Sequence, residues 1–323
     1  MRNLGRAVIV RFGYQADAVT PATADFVRPP FYGFTPPADP GLQQDPVLGG
    51  VLHNSRDATE GTRELQGGQL RMSVPLDLIM LPHWLRMALG AGVSSGAGPN
   101  YVHTFTSGKA TLPSVTIEAK FASGDFGRYE GCVLNSISLP MRKEAAVSRL
   151  DLTFLIRKHD YYGAFLAGAE AATLTRQKIV QSRGIAKWGG VTISNLLDTT
   201  FGISNNCEPY NTMSGDDFPL EIDPGFTTIN GTARLRLQDS TFRTISKGNT
   251  PGAFNPILTH ASDPTNRLFS LNMPVTRLTA QGPGVDGPGG IDETFNWESE
   301  QTDVAPTLTA VVKNGTAAAV YGY

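Results

Sequence analysis

Between Leu112 and Lys158 three segments, LPSVTIEAKF, RYEGCVLNSISLPM and SRLDLTFLIRK, follow one another across short polar breaks. They are rich in β-branched and aromatic residues, which suit a pleated, half-buried surface, and the breaks carry turn chemistry. Val133, Ile137 and Leu139 share one face by period two, but Asn135 falls on that face and Leu134 on the other. The spacing therefore predicts a bend or bulge at Asn135 to Ser136. A chain organised on such a stretch is mainly β, with helix in a minor role.

The rest of the chain follows this lead. Ala7 to Tyr14 reads as a first strand, Gln69 to Val74 as a half-buried strand, and Tyr101 to Thr106 as a short one. Lys178 to Asn195 supplies further strand signals at Ile185, Trp188, Val191 and Ile193. Leu81 to Leu89 is the best helix, and Leu81, Trp84, Leu85 and Leu89 form its packing face at i, i+3, i+4 and i+8. Pro82 suits the first turn, and Gly90 suits a left-handed residue after the last. His83 sits beside the packing face and reads as exposed or core-edge. Gly90 to Asn100 reads as a Gly/Ser loop.

Residues 17–57 break every regular pattern. Pro21, Pro29, Pro30, Pro36, Pro37, Pro40 and Pro46 alternate with Phe26, Phe31, Tyr32 and Phe34. Proline fixes φ and removes a donor, so neither helix nor central strand is feasible, while the rings want burial. The segment reads as an extended arm that lies on a surface, either a neighbouring subunit's or its own domain's. Leu196 to Pro224 reads as a second irregular arm.

Charged residues make up 17% of the chain, against roughly 25% for soluble domains. That fits a surface largely covered in an assembly, or simply a β protein. With 27 basic and 29 acidic residues there is no basic surplus, which disfavours a protein that grips duplex DNA but not one that lets DNA pass. Cys132 and Cys207 lie far apart, outside any metal spacing; Cys132, on an apolar strand, reads as a buried inert thiol, with a disulfide as the alternative. No run approaches the roughly 20 apolar residues of a membrane span, and the N-terminus lacks a signal-peptide core. The expectation is synthesis and retention in a cytosol until an assembly leaves it.

The second half echoes the first. GGQLRMSVPLD at Gly67 to Asp77 is matched by NGTARLRLQDS at Asn230 to Ser240, and each runs into a helix-compatible segment ending in glycine. VSRLDLTFLIRK has a counterpart in GIDETFNWESE, and LPSVTIEAKF one in RLFSLNMPVT at Arg267 to Thr276. Two tandem domains are expected, residues 1–163 and an internal duplicate at 164–323, each with one short flanking helix.

Nothing reads as a catalytic centre. GPGVDGPGG lacks the Lys and Ser/Thr of a phosphate loop. GDDFPLEID lacks calcium-loop spacing. GVSSG matches a nucleophile motif but follows a helix rather than a strand. The five histidines are scattered. Asp292, Glu293, Glu298 and Glu300 lie along one strand and read as a solvated face rather than a glycosidase pair. No cofactor or metal is expected, and no enzyme activity.

GGQLRMSV…LPHWLRMALG, HTF…LPSVTIE, YEGCVLNSISLPM, WGGVTISN, GISNN and INGTARLRLQDSTF resemble the tail tube proteins of long-tailed bacteriophages, from about Leu65 to Asn314. The resemblance implies two tail-tube-like β-sandwich or barrel domains, joined edge to edge across subunits into a ring with a β-barrel lumen. Six domains usually make such a ring, so three chains would form a trimeric pseudo-hexamer, with a true hexamer as the alternative. Rings would stack into a tube that meets other tail proteins at its ends and carries DNA as passing cargo. The virion would be its destination and the host bacterial cytoplasm its place of synthesis. Asp292, Glu293 and Glu298 become candidate lumen acids. Phe26, Phe31, Tyr32 and Phe34 become a candidate inter-subunit arm. The competing reading is a β-sandwich decoration or receptor-binding module of a virion.

Overall fold

The computed structural model describes residues 5–44, 60–142, 148–166, 175–179, 183–285 and 287–322. The first half contains β1 (Ile9–Tyr14), β2 (Gly33–Thr35), β3 (Leu42–Gln44), β4 (Gly61–Arg63), β5 (Gln69–Pro75) and α1 (Leu81–Leu89). It continues with β6 (Val93–Ala97), β7 (Asn100–Thr106), β8 (Val115–Ala122), β9 (Asp125–Arg142), β10 (Arg149–Leu155) and β11 (Lys158–Tyr162). The second half contains β12 (Ile185–Trp188), β13 (Val191–Thr192), β14 (Leu196–Ser204), β15 (Glu208–Tyr210), β16 (Glu221–Asp223) and β17 (Thr228–Arg236). After these come α2 (Thr241–Lys247), β18 (Gly252–Thr259), β19 (Leu268–Gly284), β20 (Asp292–Ser299) and β21 (Thr309–Asn314). The part of the proline-rich arm at 45–57 lies outside the described residues, as does most of the Gly163 to Thr173 boundary segment.

Two long strands organise the whole. β9, at 18 residues, pairs with β8 and β11 through its N-terminal part, and with β10 and β14 through its C-terminal part. β19, at 17 residues, pairs with β18 and β21 first and with β20 later. The bulge expected at Asn135 is present: Phe154 pairs with Leu134 and Thr153 with Ser136, so Asn135 is the extra residue. It also corrects the expected face. Leu134, Ile137 and Leu139 enter the main core together, whereas Val133 packs in a small cluster with Cys207 and Ile222. One inserted residue shifts the period-two parity, so Val133 and Ile137 point to opposite sides.

The pairings of the first half recur in the second. β1–β8–β9–β11 is matched by β12–β18–β19–β21, and β2–β5–β10–β9 by β14–β17–β20–β19. Each set carries its helix between equivalent strands, α1 after β5 and α2 after β17. Phe154 faces Leu70 as Phe295 faces Ala233. By position in the sheet the counterpart of LPSVTIEAKF is β18, not the Arg267 to Thr276 stretch. β14 then joins the halves by pairing along β9 from Asp198↔Arg142 to Ser204↔Ser136, and one apolar core runs through both.

The expected sandwich or barrel domains with a β-barrel lumen are corrected. Among the described residues seventeen strands form one sheet, and their pairings branch without returning to a starting strand. No sheet closes into a barrel among the described residues. The branches end at β1, β2, β6, β11 and β13, each paired with one other strand and two to six residues long, and β2 runs into Pro36 and Pro37, which cannot donate to a further ladder.

α1 has the expected bounds, but it is buried on nearly every side, with Arg86 its one partly exposed residue. It lies against β7, β9 and β21. Each large apolar side chain it buries, Leu81, Trp84, Leu85 and Leu89 among them, contributes roughly 1.5–3 kcal/mol before entropy. Gly90 ends the helix at φ 83°, ψ −174°, a glycine conformation but not the left-handed one expected. Gly90 to Asn100 also differs from the loop reading, since Val93 to Ala97 pairs with β7 as a hairpin. Ser94 is held there by His103, at 2.6 Å from Oγ to Nδ1.

Candidate functional site

His83 is buried, contrary to the exposed or core-edge position read from sequence. Its ring packs among Phe12, Tyr14 and Tyr321. Burial first, and the Arg86 charge second, push its pKa down to about 3, so it is neutral at physiological pH. Arg86 stacks on Tyr14 at 3.7 Å and donates to the Tyr321 carbonyl. Tyr321 meets Asn314 Nδ2 at 2.9 Å. The cluster fastens the last turn of the chain (Ala318–Tyr321) to α1.

The proline-rich arm lies on its own fold where it is described. Phe26 is fully buried, with Arg11 4.0 Å above its ring, and Arg11 pairs with the buried Glu118 at 2.8 Å. Phe34 packs against Phe121 and Tyr129, and Phe31 is half-buried against the core. Tyr32 is the exposed ring of the four, with Arg149 5.2 Å from its centroid. Asp39 is tied to the buried His159 at 3.1 Å.

Asn205, 1% exposed, links elements far apart in sequence. Its Nδ2 donates to the Ala88 carbonyl of α1 at 3.0 Å and to the Leu134 carbonyl of β9 at 2.9 Å. Its backbone N–H donates to Asn135, the bulge residue, at 2.7 Å, and its Oδ1 accepts from Thr227 at 3.1 Å. Asn135 Oδ1 in turn accepts from Cys207 N at 2.8 Å. The only local sign of this clamp is the Asn-Asn pair of GISNN. Asn206 adopts φ 45°, which Asn tolerates better than most residues.

The largest continuous feature is one face of the sheet running from β5 through β10, β9, β14, β17 and β20 to β19. Alternation sends Phe201, Ile203, Ala233, Leu235, Phe295 and Trp297 into the core, so the intervening residues face out. One cross-strand row reads Ser73, Asp151, Ser138, Gly202, Asn230, Glu298, Arg277. The next contains Pro140, Thr200, Thr232, Asn296 and Thr279, with Thr200 and Thr232 hydroxyls 3.0 Å apart. Short polar side chains leave the surface low and wettable. Gly231 is required beneath it, because a Cβ there would sit 2.0 Å from the Thr200 carbonyl and against Trp297.

The candidate lumen acids separate on this sheet. Asp292 and Glu298 face outward, but Glu293 points inward, 2% exposed, and pairs with Arg243 of α2 at 2.8 Å. Period two alone forbids Glu293 from sharing a face with Asp292. The face is not acid-rich either. Arg234 pairs with Asp198 at 2.5 Å and with Asp292 at 3.5 Å, Arg236 with Asp292 at 2.6 Å, and Arg277 with Glu300 at 2.8 Å. These pairings needed the strand register and were not read from the sequence.

Among the described residues no three His, Cys, Asp or Glu side chains gather to hold a metal, and no helix is long and apolar enough to cross a membrane. Cys132 and Cys207 are free and buried, with the Cys207 thiol pushed up to about 11 by burial. A groove of about 650 Å³ between the β3–β4 and β15–β16 hairpins is lined by Pro36, Pro37, Leu65, Pro209 and Ile222. Among the described residues Asp39, Glu64 and Arg71 also line it, and no His, Cys or Ser does. The profile of the family described as phage tail tube protein matches residues 5–299.

The chain belongs to the phage tail tube protein family.

It is therefore a structural, non-enzymatic subunit of a phage tail tube, which assembles with itself and with other tail proteins, and its place is the virion. No curated protein matches it. The tail tube family match covers both halves, including β20, and stops before β21. It also spans the proline-rich arm, which the sequence-based resemblance did not reach.

Proposed function

We propose that copies of this subunit form rings that stack around a lumen through which DNA passes during infection. The low polar face running from β5 to β19 lines that lumen. The single observation that carries this orientation is the face itself, a broad uncovered sheet surface of Ser, Thr, Asn and compensated charges. The centre of a subunit contact would be depleted of charge and rich in aromatic residues, and a surface built to grip DNA would be basic.

The repeated pairing pattern supports two related units, 1–163 and 164–323, within each chain. Three chains then supply six units, a trimeric pseudo-hexamer, with the true hexamer as the other arrangement. Contacts between subunits and rings fall on the exposed apolar residues, chiefly Tyr32 of the arm, Met213 beyond β15, and Phe226, which is 93% exposed. The assembled tail takes its subunits from the cytoplasm of the host bacterium.

Negative-stain microscopy of the purified protein, with the ring mass measured alongside, tests the proposal. Rings or tubes with an axial hole and the mass of three chains are expected. Persistent monomers over a range of concentrations would overturn it, and a six-chain ring would overturn the pseudo-hexamer.

A further inference from the structure

Three arginines of the outward face, Arg234, Arg236 and Arg277, are each paired with a carboxylate from another strand or its end. Asp198 lies opposite Arg142 on β9 and next to Arg234 on β17. Its Oδ2 takes both Nε and Nη2 of Arg234, at 2.9 and 2.5 Å. Asp292 lies opposite Arg236 and forms an ion pair with it, 2.6 Å from Oδ1 to Nε without hydrogen-bond alignment, and Arg234 Nη1 is 3.5 Å from the other oxygen. Farther along the face Glu300 takes Nε of Arg277 with both oxygens, at 2.8 and 3.0 Å. Each pair spans different segments of the chain, so the repetition does not come from local sequence.

A guanidinium on an open face is a fork-shaped donor set that fits a phosphate as well as it fits a carboxylate. Left unpaired, Arg234 and Arg236 would meet a passing duplex within one or two strand spacings of each other. We propose that Asp198 and Asp292 act as masks, occupying Arg234 and Arg236 so that the phosphodiester backbone of duplex DNA cannot bind them. This rests on the reading of the face as the lumen wall, and it assigns those carboxylates a role in keeping the cargo free. The arginines remain useful in the pair. Their stems cover the apolar strands beneath, and their charges keep the acids from repelling the cargo outright.

The experiment removes the masks while keeping their shape. Asp198→Asn and Asp292→Asn are combined in the full chain, and fluorescence anisotropy measures binding of a short labelled duplex of mixed sequence by the unassembled protein. Circular dichroism checks that the variant is folded, and each single variant is measured in the same way in case the double one is not. The expected result is about ten-fold tighter binding than the unmodified chain at low salt, with a log–log salt slope of about −2 for two phosphate contacts. Adding Arg234→Gln and Arg236→Gln should abolish the gain. A folded variant with unchanged DNA affinity overturns the proposal. So does a gain that survives loss of the two arginines, or an unmodified chain that already binds as tightly. Because the assay reads single subunits, it succeeds or fails independently of whether rings with an axial hole appear under the microscope.

Discussion

Replacing Asn205 with Ala should cost the fold more than any other single polar truncation among the residues described above. The side chain donates to two carbonyls, of Ala88 at the end of α1 and of Leu134 beside the bulge. Both become unpaired in a site 1% exposed, where no water reaches without a rearrangement. An unsatisfied buried group costs about 1–3 kcal/mol, so the pair should cost about 2–5 kcal/mol. The Thr227 hydroxyl, being half-buried, can turn to solvent and adds little. Against a total stability of about 5–15 kcal/mol this is a large fraction. Urea unfolding followed by fluorescence of the buried Trp84 and Trp297 reads the change as a lower midpoint with the slope preserved. Asn205→Asp gives a sharper contrast, because it keeps the shape but sets a carboxylate against two carbonyl oxygens; it should be worse than Ala. An Ala variant within about 0.5 kcal/mol of the parent, or an Asp variant more stable than Ala, would refute the clamp.

Three further outcomes are expected. Ile137→Asp should unfold the chain, since the side chain is buried in the main core, whereas Ser138→Asn next to it on the outward face, opposite Asp151, should leave the stability within about 0.5 kcal/mol. Equal effects would contradict the parity that the bulge imposes. His83 stays neutral in the fold down to about pH 3, while the unfolded chain takes up its proton below about 6.5, so stability is lost as pH falls through that window. The slope is about 1.4 kcal/mol per pH unit, and His83→Gln should remove it; parallel pH profiles for the two proteins would reject the assignment. Cys132 and Cys207 should resist a thiol reagent in the native state and both react in denaturant, because burial raises both thiols and hides them. Rapid native labelling of Cys132 would contradict its burial.

What the sequence disclosed was whatever depends on local periodicity. The α1 bounds and its buried face follow from a 3.6-residue period with Pro82 inside the start and Gly90 after the end. The Asn135 bulge showed itself as a broken alternation. Where the reading went astray, the deciding interaction lay far along the chain. His83 looked peripheral because its partners, Tyr14 and Tyr321, come from opposite ends of the sequence. Gly/Ser content suggested a loop at Val93 to Ala97, where pairing with β7 overrides weak strand propensity. The acids of β20 looked like one cluster until alternation sent Glu293 to α2. The barrel was an inference from family resemblance, and the strand pairings that decide it branch outward from β9 and β19 instead of closing. The arginine masks were illegible for a plainer reason: Asp198 and Arg234 meet only once β14 and β17 are in register.

The central claim is that the face bearing Thr200, Thr232 and Asn296 lines the channel of an assembled tube. A cryo-electron microscopy reconstruction of tubes formed by the purified protein tests it most directly. The account predicts those three residues at the channel wall, with Arg234 and Arg236 turned toward Asp198 and Asp292. A reconstruction that places this face on the outer surface, or buries it between stacked rings, would contradict it.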